Sequence, residues 1–353
     1  MKIKKLNEDT LEQAVKRDAQ QASNEIKNDV IVDGHKKGTV EKALDRIYKT
    51  AKRAQKSGSK EFQNLLLIGR AGVGKTAIVK RWAKDNGVNL VDKDAKTMDP
   101  SDLGGIVFAD TEHPGEATKL RSNELDALQA PNSVLFLDEY NRAPSDVRGS
   151  LLTLVNDHEL ISGKEKIEFP NLLFTVAAIN PPGTSARYNA EELDPAERSR
   201  FYQEYVEAEP DVLLDFLVNR HFKPQLKNVD EEEAREIEGR IKLATTLLSS
   251  REFAFDTEED EDRLSEEDPN APILNPRSFT KALEMSDGTK EDFLDVWNHM
   301  CNRDKKGMVE RILANYQDVD NKANDALKRY KGGEEVKSAF KQTGEDLWSK
   351  LDL

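Results

Sequence analysis

The sequence predicts an α/β protein in which a parallel sheet is flanked by helices and is followed by an all-α region. Short apolar runs alternate with helical segments up to about residue 209, and a glycine-rich loop lies between the first run and an amphipathic helix. After Pro210 the strand pattern stops and helical periodicity takes over. Alternation of buried strands with helices is typical of parallel sheets that are covered on both faces.

The individual elements follow from the spacing of apolar residues. The predicted strands cover residues 65–68, 88–91, 134–137 and 172–179. A helix over residues 75–86 places Val79 and Trp82 on one face and ends at Gly87. The helical segments expected after Pro210 cover residues 212–218, 234–248, 278–285 and 293–301.

Composition and charge limit the function classes. The chain has 353 residues, a net charge of −14 and one cysteine, Cys301. We expect a cytoplasmic protein without a structural metal, since it has no apolar run long enough for a membrane span, no apolar signal-peptide stretch and no possible internal disulfide. The negative charge argues against a surface that grips nucleic acid throughout. We interpret the acidic runs 256–262 and 266–268 as solvated loop without a function.

The glycine-rich loop has the spacing of a phosphate-binding loop, G-x-x-x-x-G-K-[ST]. Its residues are Gly69, Arg70, Ala71, Gly72, Val73, Gly74, Lys75 and Thr76. The glycines let backbone N–H groups curl around an anion at the start of a helix. The Lys75 ammonium can reach the outer phosphates and the Thr76 hydroxyl can bind Mg²⁺. The sequence therefore predicts a nucleotide site, with ATP as the nucleotide because no N-K-x-D motif for guanine is present.

Two further strands end in polar residues. The strand over residues 134–137 is followed by Asp138, predicted to hold Mg²⁺, and by Glu139, predicted to orient or deprotonate the attacking water. Asn180 follows the strand over residues 172–179 and is expected to point at the γ-phosphate. The carboxyl ends of parallel strands meet at one edge of a sheet, which is where ligands bind.

In their order along the chain, these motifs resemble those of the MoxR-like and dynein-related AAA+ ATPases. The resemblance rests on residues 69–76, 137–144, 178–181, 193–201 and 275–277, and the D-E-x-N-R-A-P stretch that begins at Asp138 is the most specific part. It implies that Asn180 is sensor 1, that Arg200 is an arginine finger acting on a neighbouring subunit, and that Arg277 is sensor 2. Arg198 stays open as the alternative finger.

The same resemblance implies a ring, usually a hexamer, and a helix-2 insertion over residues 101–120. The alternating segment over residues 157–169, around Ser162-Gly163-Lys164, is expected to be a β-hairpin before sensor 1. Both would face the ring pore. We divide the chain into four parts: a polar helical N-terminal arm (1–38), an AAA+ α/β nucleotide-binding domain (39–209), an all-α lid domain (210–300) and a helical C-terminal tail (301–353).

The function we expect is ATP hydrolysis coupled to remodelling or assembly of a protein complex, as in MoxR-like chaperones. Such relatives often act beside a partner with a von Willebrand A domain, and the client itself is not named by the sequence. Two alternatives remain open. One is an ATPase that works on nucleic acid, like a helicase or clamp loader, and the other is a nucleotide-gated scaffold with little turnover.

Overall fold

The central feature of the chain is a parallel sheet of five strands. The computed structural model describes residues 37–59, 63–109, 117–120, 125–162, 165–181, 192–268 and 270–316. In the sheet, the strand order is β2-β5-β8-β1-β9 and every neighbouring pair is parallel. These strands are β1 (Asn64–Ile68), β2 (Asn89–Asp94), β5 (Ser133–Asp138), β8 (Leu172–Ile179) and β9 (Phe201–Tyr205).

Two antiparallel hairpins lie outside the sheet. The first pairs β3 (Ile106–Ala109) with β4 (Ala117–Leu120), within the predicted insertion. The second pairs β6 (Glu159–Ser162) with β7 (Glu165–Glu168), which confirms the hairpin expected there. Its tip, residues 163–164, lies outside the described residues.

Helices cover both faces of the sheet because successive strand residues point to opposite sides. Leu65 and Leu67 of β1 join a core with α1 (Thr39–Ser57) and α2 (Lys75–Asp85). Leu66 joins a second core with α4 (Ser145–Asp157) on the other face. A short helix, α3 (Pro100–Gly104), precedes the first hairpin, and α5 (Pro195–Arg198) precedes β9.

The described residues after Pro210 form helices joined by turns and irregular segments, and we call residues 210–316 the helical region. It contains α6 (Pro210–Asp215), which continues as a π-helix (Phe216–Phe222), then α7 (Glu231–Leu248), α8 (Glu258–Glu267), α9 (Pro276–Met285), α10 (Lys290–Met300) and α11 (Arg303–Ile312). Its core is aromatic, with Phe279 in edge-to-face contact with Phe253, Phe255 and Trp297. The predicted fold class, a parallel sheet flanked by helices and followed by an all-α part, is confirmed.

One strand of the sheet was not among the predicted elements. β9 is an edge strand that pairs with β1 alone, so Tyr202 and Tyr205 stay exposed and no apolar run marks it. Its burial is confined to its first residue, Phe201, and to Val206 just beyond its end.

The interpretation of the acidic runs as solvated loop is wrong. Residues 258–267 form α8, which Thr257 caps through a capping box with Asp260. Carboxylates in the first turn favour a helix because they face its positive end. Asp256 and Glu261 are only 2% and 4% exposed, so part of this acidic stretch is interior.

The chain divides into two compact units, residues 1–38 and 39–353. The predicted arm (1–38), apart from residues 37–38, and the tail beyond residue 316 lie outside the described residues. Within the part that the structure describes, no helix is both long enough and apolar enough to cross a bilayer.

Candidate active site

Most of the predicted site residues lie at the carboxyl end of the parallel strands. Gly69 follows β1, Asp138 is the last residue of β5 and Asn180 follows β8. These three strands are neighbours in the sheet, with β8 between β1 and β5. The parallel arrangement therefore brings together residues that are up to 111 positions apart in the sequence.

The loop between β1 and α2 has the backbone of a phosphate cradle. Gly72 and Gly74 have φ angles of +85° and +100°, in the left-handed region that favours glycine. A Cβ atom at position 72 would also lie 2.5 Å from the side chain of Asn275, so only glycine fits there. Helix α2 begins at Lys75, directly after this turn. Its first N–H groups thus offer an anion site.

Lys75 lies inside the cradle, with only 7% of the residue exposed. Its Nζ donates hydrogen bonds to the carbonyl oxygens of Gly69 and Arg70, at 2.5 and 3.1 Å, and to Oδ1 of Asn180 at 3.0 Å. Burial lowers the pKa of Lys75 to about 8 and the charge of Arg277 adds to this, against the opposing effect of Asp138 and Glu139. An anion in the cradle would restore the favourable surroundings of the ammonium group.

Thr76 and Asp138 are already in contact. The Thr76 hydroxyl donates a hydrogen bond to Oδ2 of Asp138 at 2.5 Å. A hydroxyl and a carboxylate oxygen are the ligands that a Mg²⁺ ion uses beside bound phosphates. The two residues therefore fit the metal role predicted for them.

Glu139 occupies a strained backbone position beside Asp138. Its φ and ψ are 52° and 36°, a left-handed conformation that is uncommon for a residue other than glycine. Its Oε2 accepts hydrogen bonds from Lys96 and Arg142, each at 2.9 Å. Partial burial alone would raise the pKa of Glu139, yet these two cations lower it below its usual value. The carboxylate is thus ionised and held by two positive charges.

Three residues at this edge were not predicted to have a role. Lys96 and Arg142 hold Glu139, and the buried Asn141 side chain donates to the backbone carbonyl of Asn180 at 2.9 Å. Asn141 and Arg142 lie within the D-E-x-N-R-A-P stretch, so that motif was their only signal in the sequence. Lys96 lies in a separate turn after β2, and nothing in its sequence surroundings marks it.

Arg277 comes to the cradle from the helical region. Its backbone N–H donates to the carbonyl oxygen of Gly72 at 3.2 Å, at the start of α9. Asn275, which caps α9 through a hydrogen bond with Ser278, packs against Gly72. The segment predicted to contain sensor 2 is therefore next to the phosphate-binding loop.

Arg200 lies elsewhere. It is exposed, in the turn between α5 and β9, and the register pairs the next residue, Phe201, with Asn64 at the amino end of β1. The loop at residues 69–74 follows the carboxyl end of that strand, roughly 13 Å away at about 3.3 Å per residue. Arg200 and its neighbour Arg198 are therefore at the opposite edge of the sheet from this chain's own cradle.

Comparison with known proteins finds a family model that matches the part of the chain containing this site. Residues 64–201 match the AAA domain of the dynein-related subfamily. The match begins at the first residue of β1 and ends at the first residue of β9, so the matched range contains the cradle, Asp138, Glu139, Asn180 and Arg200. It supports an AAA+ ATPase and with it nucleotide binding, the coarser part of the function expected from the sequence.

The comparisons with solved structures and with curated proteins give no further information about function. The chain is similar to the Thermotoga maritima RuvB Holliday junction branch migration motor, at 15% identity over 87% of this chain and 82% of that chain, with a TM-score of 0.37. A point mutant of Thermotoga maritima RuvB gives 15% identity over 86% and 82%, with a TM-score of 0.39. Similarity at this level carries no argument about function. No curated protein matches the chain.

Proposed function

We propose that this protein hydrolyses ATP in an oligomeric ring, a hexamer as its resemblance to MoxR-like ATPases implies, and that it uses the cycle to remodel or assemble a protein complex. The observation that carries the catalytic part is the cluster formed by Lys75, Thr76, Asp138 and Asn180. A hydrogen bond of 3.0 Å joins Lys75 to Asn180, and one of 2.5 Å joins Thr76 to Asp138. The first residue of each pair lies at the start of α2, and the second lies at the carboxyl end of a sheet strand.

The cluster fits a nucleotide with its metal ion. Lys75 and the loop N–H groups would bind the phosphates, while Thr76 and Asp138 would hold Mg²⁺. Bound Mg²⁺ would neutralise charge on the phosphate oxygens. Glu139 lies next to Asp138 and is ionised, as a residue that takes a proton from water must be. Asn180 would orient the same water through its amide.

The helical region serves as the lid in this proposal, with a boundary near Pro210. The contacts of Arg277 and Asn275 with Gly72 support that role, because they put the start of α9 beside the phosphate position. The position of Arg200 at the far edge of the sheet supports a finger that acts on the next subunit in the ring. A cation supplied to a phosphoryl-transfer site in this way is worth about 10³–10⁵ in rate.

The MoxR-like resemblance favours a protein client and implies a partner with a von Willebrand A domain. The net charge of −14 disfavours nucleic acid as the working substrate. The ionised Glu139 beside an intact cradle disfavours a scaffold that does not turn over.

The proposal is tested by ATPase assays on matched variants. Lys75→Ala should lose ATP binding, because it removes the cation that contacts the phosphates. Glu139→Gln should bind ATP and hydrolyse it at a small fraction of the wild-type rate. Lys80→Ala is the control, since Lys80 lies on the same helix but pairs with Asp92 on the surface. Wild-type turnover in Glu139→Gln would remove that residue from the mechanism.

The client is tested separately. Glu139→Gln should accumulate in the ATP-bound state. We would use this variant as the bait to capture a protein partner. Filter binding with single-stranded DNA, with and without ATP, distinguishes a protein client from the alternative, an ATPase that works on nucleic acid. ATP-dependent retention of DNA at physiological salt would contradict a protein client and favour the nucleic-acid function.

A further inference from the structure

The Arg70 side chain, at the second position of the phosphate-binding loop, contacts the helical region. Its Nη1 contacts Oε1 of Glu261 at 2.7 Å, and its Nη2 donates a hydrogen bond to the backbone carbonyl oxygen of Asp256. Both acceptors belong to the helical region, 191 and 186 positions away in the sequence. One guanidinium therefore joins the loop to two points of that region.

The pair between Arg70 and Glu261 is an interior ion pair. The two side chains are 18% and 5% exposed. A charge-assisted hydrogen bond in such surroundings is stronger than one in water, and breaking it by removing one partner leaves the other charge buried. Surface ion pairs, by contrast, contribute little.

Asp256, the second anchor, is tied to the centre of the helical region. Its Oδ2 accepts hydrogen bonds from the backbone N–H of Leu274 at 2.6 Å and from the Asn302 side chain at 2.9 Å, and Lys305 lies 3.4 Å from its Oδ1. Leu274 directly precedes Asn275 and α9. The loop, the acidic helix α8, the start of α9 and α11 thus form one connected network through Arg70 and Asp256.

The loop also contacts the start of α9, but these contacts depend less on charged side chains than those of Arg70 do. Arg277 contacts Gly72 through its backbone N–H, and Asn275 packs against a glycine. The far end of α2 also contacts the helical region, where Arg81 lies over the ring of Phe216 at 5.1 Å. Arg70 is therefore the residue whose charge joins the phosphate-binding loop to the helical region.

We propose that Arg70 and Glu261, with the carbonyl group of Asp256, form a latch that positions the helical region over the phosphate-binding loop and limits the rate at which bound nucleotide leaves. The latch rests on the proposed nucleotide binding. The loop cannot separate from α8 without breaking the buried ion pair. A nucleotide whose phosphates lie in the cradle is therefore released when the latch opens.

The test is the dissociation rate of a fluorescent ADP analogue, followed by stopped flow with excess unlabelled ADP. Arg70→Ala should speed release about tenfold, because it removes both hydrogen bonds of the latch. Glu261→Gln keeps the shape and removes one charge, so it should speed release by about threefold. The double variant should release ADP no faster than Arg70→Ala alone, because residues that act through one contact are not additive.

The matched control is Arg263→Ala. Arg263 lies on the same helix as Glu261, but it forms an exposed pair with Asp304, 49% and 61% exposed, and has no part in the latch. Its release rate should equal that of the wild type. The double variant also keeps the test valid if Arg70→Ala alone folds poorly, because it leaves no buried Glu261 carboxylate behind.

A second measurement reports the position of the helical region directly. Spin labels at Lys84→Cys on α2 and Glu266→Cys on α8 avoid Cys301, which is buried. The distance distribution with ADP should broaden in Arg70→Ala and stay narrow in Arg263→Ala. Release within twofold of wild type in both latch variants, with unchanged distances, overturns the latch and leaves the ATPase proposal intact. Failure of the wild-type protein to bind ADP overturns both.

Discussion

The Asn141 side chain donates a hydrogen bond of 2.9 Å to the backbone carbonyl oxygen of Asn180, and so joins the turn after β5 to the end of β8. Both residues are buried, at 0% and 6% exposure. The side chain of Asn180 in turn contacts Lys75. The position of the proposed sensor is therefore set by a residue from a different strand end.

Substitution of Asn141 should lower the rate of hydrolysis more than the affinity for ATP. Asn141→Ala leaves the Asn180 carbonyl without this donor, which costs about 1–3 kcal/mol for a buried group. We expect kcat to fall about tenfold while KM changes less than about twofold, because Lys75 and the loop still bind the phosphates.

The control for Asn141 is Asn86→Ala, which removes a similar amide-to-carbonyl bond, to Trp82 at the end of α2. It should affect stability and leave kcat unchanged. A wild-type kcat in Asn141→Ala would show that Asn180 keeps its place without this bond.

Arg200 should act on a neighbouring subunit. Its position at the amino edge of the sheet keeps it away from its own cradle, so specific activity should rise steeply with protein concentration. Arg200→Ala should bind ATP and hydrolyse it poorly, with a loss of about 10³-fold or more. Mixing it with Lys75→Ala should recover part of the activity, because an intact Arg200 then faces an intact cradle.

Arg198→Ala is the matched control for this experiment. It should retain activity if Arg200 is the finger. Loss of activity in Arg198→Ala, with a normal rate in Arg200→Ala, would reverse the assignment. Full activity in dilute monomer would place the missing cation within the same chain.

Arg277 should couple nucleotide binding to the position of the helical region. Its guanidinium is close enough to lower the pKa of Lys75, so it contributes positive charge at the cradle. Arg277→Ala should weaken ATP binding and reduce the change in cross-domain distance that ATP produces. Lys281→Ala, one turn later on the exposed face of α9, should do neither. An ATP response like that of the wild type in Arg277→Ala would leave Arg277 as a surface residue.

His158 should make stability depend on pH. Burial lowers the pKa of His158 to about 4, despite a hydrogen bond with the backbone of Leu172. The unfolded chain binds the proton near pH 6.5, so stability is complete above that pH and is lost as pH falls towards 4. The loss amounts to about 3 kcal/mol over this range.

Urea unfolding between pH 4.5 and 7.5 measures this effect. His158→Asn should remove the His158 part of the pH dependence, and asparagine tolerates the left-handed φ of 54° at this position. His299→Asn, at an exposed site, is the control and should leave the dependence unchanged. Identical pH profiles for all three proteins would mean that His158 is already accessible to protons.

Much of the fold was predictable because its signals are local. The strands at residues 65–68, 134–137 and 172–179 are continuous apolar runs, as expected for strands buried on both faces. β9 was missed because an edge strand has one neighbour and shows no such run. The acidic stretch at residues 256–268 was wrongly predicted to be a loop, because charge density does not indicate burial. The sequence signal for its helix is the N-cap residue Thr257.

The sequence by itself determined the chemistry of the cradle, since the spacing of glycines, Lys75 and Thr76 requires a particular loop before a helix. It also predicted that Asp138 and Asn180 lie at the carboxyl ends of two parallel strands, with Glu139 beside Asp138. Only the tertiary structure decided that Arg70 contacts Glu261 and Asp256, and that Lys96 forms an ion pair with Glu139. The contacts of Arg70 depend on how the core of the helical region is placed against the core of the sheet. The contact of Lys96 depends on the strand order, which makes β2 and β5 neighbours.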